Sequence, residues 1–207
     1  MPPDSTRRFL LPRAALLGAV ALLAACSSTR VSRIDPNSVT DLSGRWNDAD
    51  SRLVANALIQ QSLDNPWAKN FAQSNGGRQP AVIVGTFRNK SMEHIPVGTF
   101  IADLERAYVN SGQVQVVASK AERGELRDER AEQQQNAAAD TRARLAREQG
   151  ARYMLQGDVQ TIEDSQGKEK IVYYQVDATL IDLESNTKVW IGQHKIKKYV
   201  LRKRVGL

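Results

Sequence analysis

Ala81-Val82-Ile83-Val84-Gly85-Thr86-Phe87 is the stretch on which the fold turns. It is a short apolar run rich in β-branched residues. Such a run predicts a central strand buried on both faces. A polar loop follows from Arg88 to Pro96, with Met92, Glu93 and His94 in it. Thr99 then caps a helix whose Phe100, Leu104, Ala107, Tyr108 and Ser111 share one face. Gly112 stands where a helix-ending glycine belongs. Val114, Val116 and Val117 make the second strand. A strand, a crossover helix and a strand make a parallel pair.

Upstream, Ser74-Asn75-Gly76-Gly77 is a turn. Before it, Trp67 and Phe71 lie four apart on a short helix that starts after Pro66. They read as core, with a partner anchor as the alternative. Asp50 caps a first helix running to about Leu63, with Leu53, Val54, Ala57 and Leu58 as its apolar stripe.

Downstream, Lys120 to Gln135 is dense in Glu, Arg and Gln. Its apolar residues Ala121, Leu126 and Ala131 are spaced by five and make no core face. The segment has helix-forming composition and little to bury, so it should project or lie on the surface. Low-complexity residues follow from Asn136 to Ala139. Asp140 then caps another helix, in which Arg144 and Glu148 form a pair four apart, and Gly150 closes it. Three alternating stretches come last. Tyr153, Leu155, Val159 and Thr161 mark the first, and Val172, Tyr174, Val176, Ala178 and Leu180 the second. The third runs from Val189 to Lys198. Period-two alternation with short turns predicts an antiparallel meander. The expected architecture is therefore α/β, with a mixed sheet of about five strands and helices on one face or both.

The amino terminus has a separate job. Arg7, Arg8 and Arg13 precede an apolar run from Ala14 to Ala25, which ends at the only cysteine, Cys26. This is a signal peptide, too short to span a bilayer. Leu22-Leu23-Ala24-Ala25-Cys26 resembles the lipobox of bacterial lipoproteins. That resemblance implies cleavage before Cys26 and acylation of its thiol and amino group. In that family the next residue sorts the protein, and Ser27 implies the outer membrane, with the domain on the periplasmic side. Residues 1–25 are then the signal, 26–47 the lipidated cysteine and a polar linker, and 48–207 one domain.

With the signal gone, the chain carries 26 basic and 22 acidic residues. Six of the basic residues crowd the last thirteen positions without an acid: Lys195, Lys197, Lys198, Arg202, Lys203 and Arg204. The excess is local to the carboxyl terminus, and export argues against nucleic acid. Two readings stay open: a solvated basic tail, or a contact for peptidoglycan carboxylates, lipid phosphates or an acidic partner face.

Catalytic signatures are missing. His94 and His194 lie a hundred residues apart, and no metal-ligand spacing, nucleophile elbow or phosphate loop occurs. Asp158 and Asp177 fall on neighbouring strands and read as exposed polar positions rather than a carboxylate pair. The sequence predicts no enzyme, no metal and no cofactor.

One combination is specific. It comprises the lipobox, D-L-S-G-R-W-N-D-A-D-S, P-A-V-I-V-G-T-F-R-N-K-S-M-E-H-I, F-I-A-D-L-E-R-A-Y-V-N-S-G-Q-V-Q-V-V-A-S, E-R-G-E-L-R-D-E-R-A-E-Q-Q, G-A-R-Y-M-L-Q-G-D and Y-Y-Q-V-D-A-T-L-I-D. In this order, over about residues 34–198, it resembles the LpoB-type outer-membrane lipoproteins that activate penicillin-binding proteins. The resemblance implies a domain similar to the TolB N-terminal domain. It also implies a non-catalytic regulator that binds the periplasmic domain of a bifunctional peptidoglycan synthase. An envelope scaffold or peptidoglycan-binding lipoprotein of the same fold is the alternative. The best-known members have a long, Pro-rich linker, and residues 27–47 depart from that. For the partner surface, the expectation is Arg123, Glu125, Arg127, Asp128 and Arg130 of the charged segment.

Overall fold

A computed structural model describes residues 30–138, 140 and 148–202. The lipobox, the helix expected after Asp140, and Lys203 and Arg204 lie outside these residues. In chain order the elements are α1 (Asp48–Asp64), α2 (Trp67–Ser74), β1 (Ala81–Asn89), α3 (Val97–Ser111) and β2 (Gln115–Val116). Then follow α4 (Lys120–Asn136), β3 (Tyr153–Gln166), β4 (Glu169–Asp182) and β5 (Lys188–Leu201). The strands form one sheet in the order β2-β1-β3-β4-β5. β1 runs parallel to β2 and β3, whereas β3, β4 and β5 are antiparallel. This is the mixed α/β sheet that the alternation predicts.

The crossover helix α3 buries Phe100, Leu104 and Tyr108, and Gly112 ends it at φ 64°. Its start differs from expectation. Pro96 precedes the first turn, and Thr99 lies inside the helix. α1 also starts earlier. Asn47 is its cap, and Asp50 reaches back from the third position. Asp50 N donates to Asn47 Oδ1 (3.0 Å), and Asn47 N donates to Asp50 Oδ2 (2.9 Å). The buried face of α1 holds Val54, Ala55, Leu58 and Ile59, while Leu53 is exposed. Leu53 and Ile59 are both apolar, so periodicity alone did not fix the rotation of the stripe.

α1 and α3 are joined inside the core by Ser62 Oγ and Tyr108 Oη at 2.8 Å. α2 brings Trp67 and Phe71 edge-on to Tyr153, with ring centroids 5.0 and 5.8 Å apart. The helical side of the sheet buries Val82, Val84, Phe87, Leu155, Val159 and the alternate residues from Val172 to Leu180. The other side is not covered by the same layer. Thr86 and Arg88 are exposed and Ile83 is half-buried, so β1 is not buried on both faces as its apolar run suggested. An irregularity between Val84 and Phe87 breaks its register with β3.

The compact unit begins at Val39. Residues 39–47, read from the sequence as the end of the linker, therefore belong to it. Four polar residues among Asp41 to Asn47 disguise a packed segment.

Candidate functional site

The charged segment forms α4 through a capping box. Glu122 N donates to Ser119 Oγ (3.4 Å), and Ser119 N donates to Glu122 Oε2 (2.7 Å). Hydrogen bonding to the Ser119 side chain, and then to its backbone N–H, holds the Glu122 carboxyl below its ordinary range. No residue of α4 is buried, as expected of a helix with no core face. Its arginines are organised by one acid from the returning chain. Arg127 grips Glu148 with a two-pronged fork, Nε to Oε1 at 2.7 Å and Nη2 to Oε2 at 2.8 Å. Arg130 Nη1 lies 3.8 Å from the same carboxylate. The fork lowers the Glu148 pKa and raises that of Arg127. Arg123 Nη1 donates to the Ala118 carbonyl (3.3 Å). Arg123, Arg130, Glu148 and Leu126 edge a hollow of about 170 Å³, also lined by Val117, Ala118 and Gln149. Glu125 and Asp128 are exposed. The sequence missed the Arg127–Glu148 pair because it assigned Glu148 to Arg144, which lies outside the described residues.

A second polar cluster straps residues 41–46 to β4 and β5. Lys198 Nζ donates to Asp41 Oδ1 (2.5 Å), Asp50 Oδ2 (2.6 Å) and the Arg45 carbonyl (3.1 Å). Its side chain is only 9% exposed. Burial opposes its charge, but the hydrogen bonds to Asp41 and Asp50 outweigh that and raise its pKa. Nearby, Tyr174 Oη donates to Glu93 Oε1 (2.7 Å), and the Gly44 carbonyl lies 3.2 Å away. Trp46 N donates to Glu93 Oε2 (3.2 Å), and the Trp46 ring stands edge-on to Tyr174 and Phe100. Burial, followed by the Glu93 carboxylate, pushes the Tyr174 hydroxyl far above its ordinary pKa. Gly44 adopts φ 71°, and a Cβ there would collide with Val200 Cγ2. Only glycine suits that point.

The expected basic tail is thus divided. Lys195, Lys197 and Lys198 belong to β5, Lys198 pointing inward and Lys195 and Lys197 outward; Arg202 follows the strand and is exposed. Inward alternation of Ile196, Lys198 and Val200 was the signal that set Lys198 apart.

The uncovered face of the sheet carries a trough of about 520 Å³, lined by residues that include Arg88, Gln156, Asp158, Asp177, Thr179 and Lys188. Asp158 and Asp177 are direct cross-strand partners. They are held by different groups. Asp158 receives Arg88 Nε (2.9 Å) and Lys90 Nζ (3.0 Å). Burial opposes its charge, yet these two cations lower its pKa. Asp177 accepts side-chain amides from Gln160, Gln175 and Gln193. His94 is exposed in its loop and His194 half-buried on β5. Among the described residues no three His, Cys, Asp or Glu side chains come together as metal ligands. Among the same residues no helix is long and apolar enough to cross a membrane. The geometry offers surfaces for recognition.

The family model of the peptidoglycan-synthase activator LpoB matches residues 50–196. No curated protein sequence matches the chain. Among solved structures, the chain is similar to the LpoB C-terminal domain from Salmonella enterica, at 15% identity over 72% of this chain and 99% of that one, with a TM-score of 0.41. It is also similar to Escherichia coli LpoB, at 12% identity over 97% and 91%, with a TM-score of 0.41. A third likeness is lipoprotein GNA1162 from Neisseria meningitidis, at 17% identity over 61% and 88%, with a TM-score of 0.37.

Proposed function

The chain belongs to the LpoB family of peptidoglycan-synthase activators, and on that premise we propose that it is a lipoprotein anchored through Cys26 in the outer membrane. There it binds the periplasmic domain of a bifunctional penicillin-binding protein and stimulates cell-wall synthesis, with no catalysis of its own. The observation that carries this reading is the family match, which runs from α1 almost to the end of β5.

The partner surface is α4. A helix that buries none of its residues contributes little to the core, so its sequence is free to serve a partner. Arg123, Glu125, Arg127, Asp128 and Arg130 present both signs of charge, suited to steering and registering a charged protein face. Arg127 and Arg130 share Glu148, so the surface is held in place before the partner arrives.

The test is a glycan-polymerisation assay with the cognate bifunctional synthase and the unacylated mature chain. A rate increase that saturates near one equivalent is expected. No stimulation and no binding would move the function to an envelope scaffold. Turnover of glycan by the chain alone would refute the non-catalytic reading.

A further inference from the structure

We propose that the end of the sheet where β5 finishes docks on an anionic lipid bilayer, the membrane that also holds the amino terminus; this rests on the lipid-anchor reading above. In β4, Val172 and Tyr174 point to the core, so Ile171 and Tyr173 face the uncovered side. Their register partners there are Ile162 and Asp164 on β3, and Lys197 and Tyr199 on β5; Lys195 lies on the same side, opposite Gln175. Ile162 is 66% exposed, Tyr199 61% and the adjoining Leu201 52%. From the helical side, the strap adds Leu42, 93% exposed, beside Asp41 on Lys198. Aliphatic tips, a tyrosine and lysines together fit the headgroup region of a bilayer.

The charge fits as well. Lys168, Lys170, Lys195, Lys197 and Arg202 are the basic residues of this end. Glu163, Asp164 and Glu169 oppose them, and of these Glu163 is held by Lys170 (2.7 Å) and Glu169 by Tyr199 Oη (2.8 Å). No ion pair engages Lys195 or Lys197 among the described residues. Chain entry points the same way. The compact unit starts at Val39, and the strap that follows lies on Lys198 and Val200. Twelve residues separate Cys26 from Val39, a span of at most about 45 Å when fully extended. A lipid on Cys26 therefore keeps this end near the membrane.

The experiment uses the mature chain with Cys26→Ser, so that no acyl chain contributes, and flotation with vesicles. One set contains phosphatidylethanolamine and phosphatidylglycerol in a 3:1 ratio, the other phosphatidylcholine alone. The unacylated protein should float with the anionic vesicles and lose that association at high salt. Neutralising Lys195→Gln and Lys197→Gln should weaken partitioning about fivefold for each lysine. Ile162→Ser with Tyr199→Ser should weaken it without changing the salt dependence. Absence of flotation, or flotation indifferent to both pairs of changes, overturns the proposal. So does a result in which the lysine variants lose affinity for the synthase domain and neither protein binds vesicles; the surface is then a protein interface. Mass spectrometry of native Cys26 tests the lipid anchor separately.

Discussion

Two regions of this molecule are held by arginine or lysine on carboxylate, and they differ in almost everything else. At the strap, Lys198 is enclosed between Asp41 and Asp50, and the Trp46 ring packs against Tyr174. At α4, Arg127 grips Glu148 at the surface, the arginine largely exposed. Buried ionic groups depend on every partner, because removing one strands the other's charge in a medium that cannot solvate it. Exposed pairs are solvated with or without each other and contribute little. The strap is therefore where the fold stores stability. α4 is where the surface can change without unfolding the chain.

The largest expected effect breaks the strap at its centre. Tyr174 is fully buried, so Tyr174→Ala removes ring packing and leaves a cavity. Its destabilisation should be about 3–5 kcal/mol, read from chemical denaturation. Tyr174→Phe keeps the ring and removes only the hydroxyl donated to Glu93, for about 1 kcal/mol. Next comes Lys198→Ala, which leaves Asp50 without its cation, at about 2 kcal/mol; Asp41 is half exposed and moderates the loss. Lys195→Ala, three residues away but facing outward, should leave the unfolding midpoint where it is. Equal effects at 195 and 198 would erase the distinction between the two faces of β5.

Acid and alkali separate the two regions by sign. The folded pKa values of Lys198 and Tyr174 are raised above their unfolded values of about 10.4 and 10. The stability these groups contribute is whole below about pH 10 and is lost as pH rises through the folded values. Glu148 is lowered from an unfolded value of about 4.3, so its contribution is present above that pH and lost in acid. Denaturation midpoints should therefore fall above pH 10, less steeply in Tyr174→Phe. The Arg127–Glu148 clip should release below about pH 4, seen as NMR shifts at Glu148 and Gln149 without global unfolding.

The sheet was legible because its signals are local. Alternation from Val172 to Leu180 and the helix ending at Gly112 follow from periods of two and 3.6, which neighbours in sequence display. β1 was recognised as a strand, but its burial on both faces was not a local property: it needed a second layer that the described residues do not supply. The strap was hidden for the opposite reason. Asp41-Leu42-Ser43-Gly44-Arg45-Trp46 reads as linker, and only partners distant in sequence, Glu93, Phe100, Tyr174 and Lys198, pin it to the domain. The charge-rich α4 was visible by composition, whereas its anchor at Glu148 required a tertiary contact across 21 positions.

A binding titration of the synthase's periplasmic domain against the native chain and the Arg127→Glu, Arg130→Glu variant, with thermal melts of both, separates recognition by α4 from stability held by the strap. Affinity at least tenfold weaker for the variant and an unchanged melting temperature are expected. Unchanged affinity would contradict this assignment, because recognition would then lie off α4. A lowered melting temperature would contradict it too, because α4 would then carry stability assigned here to the strap.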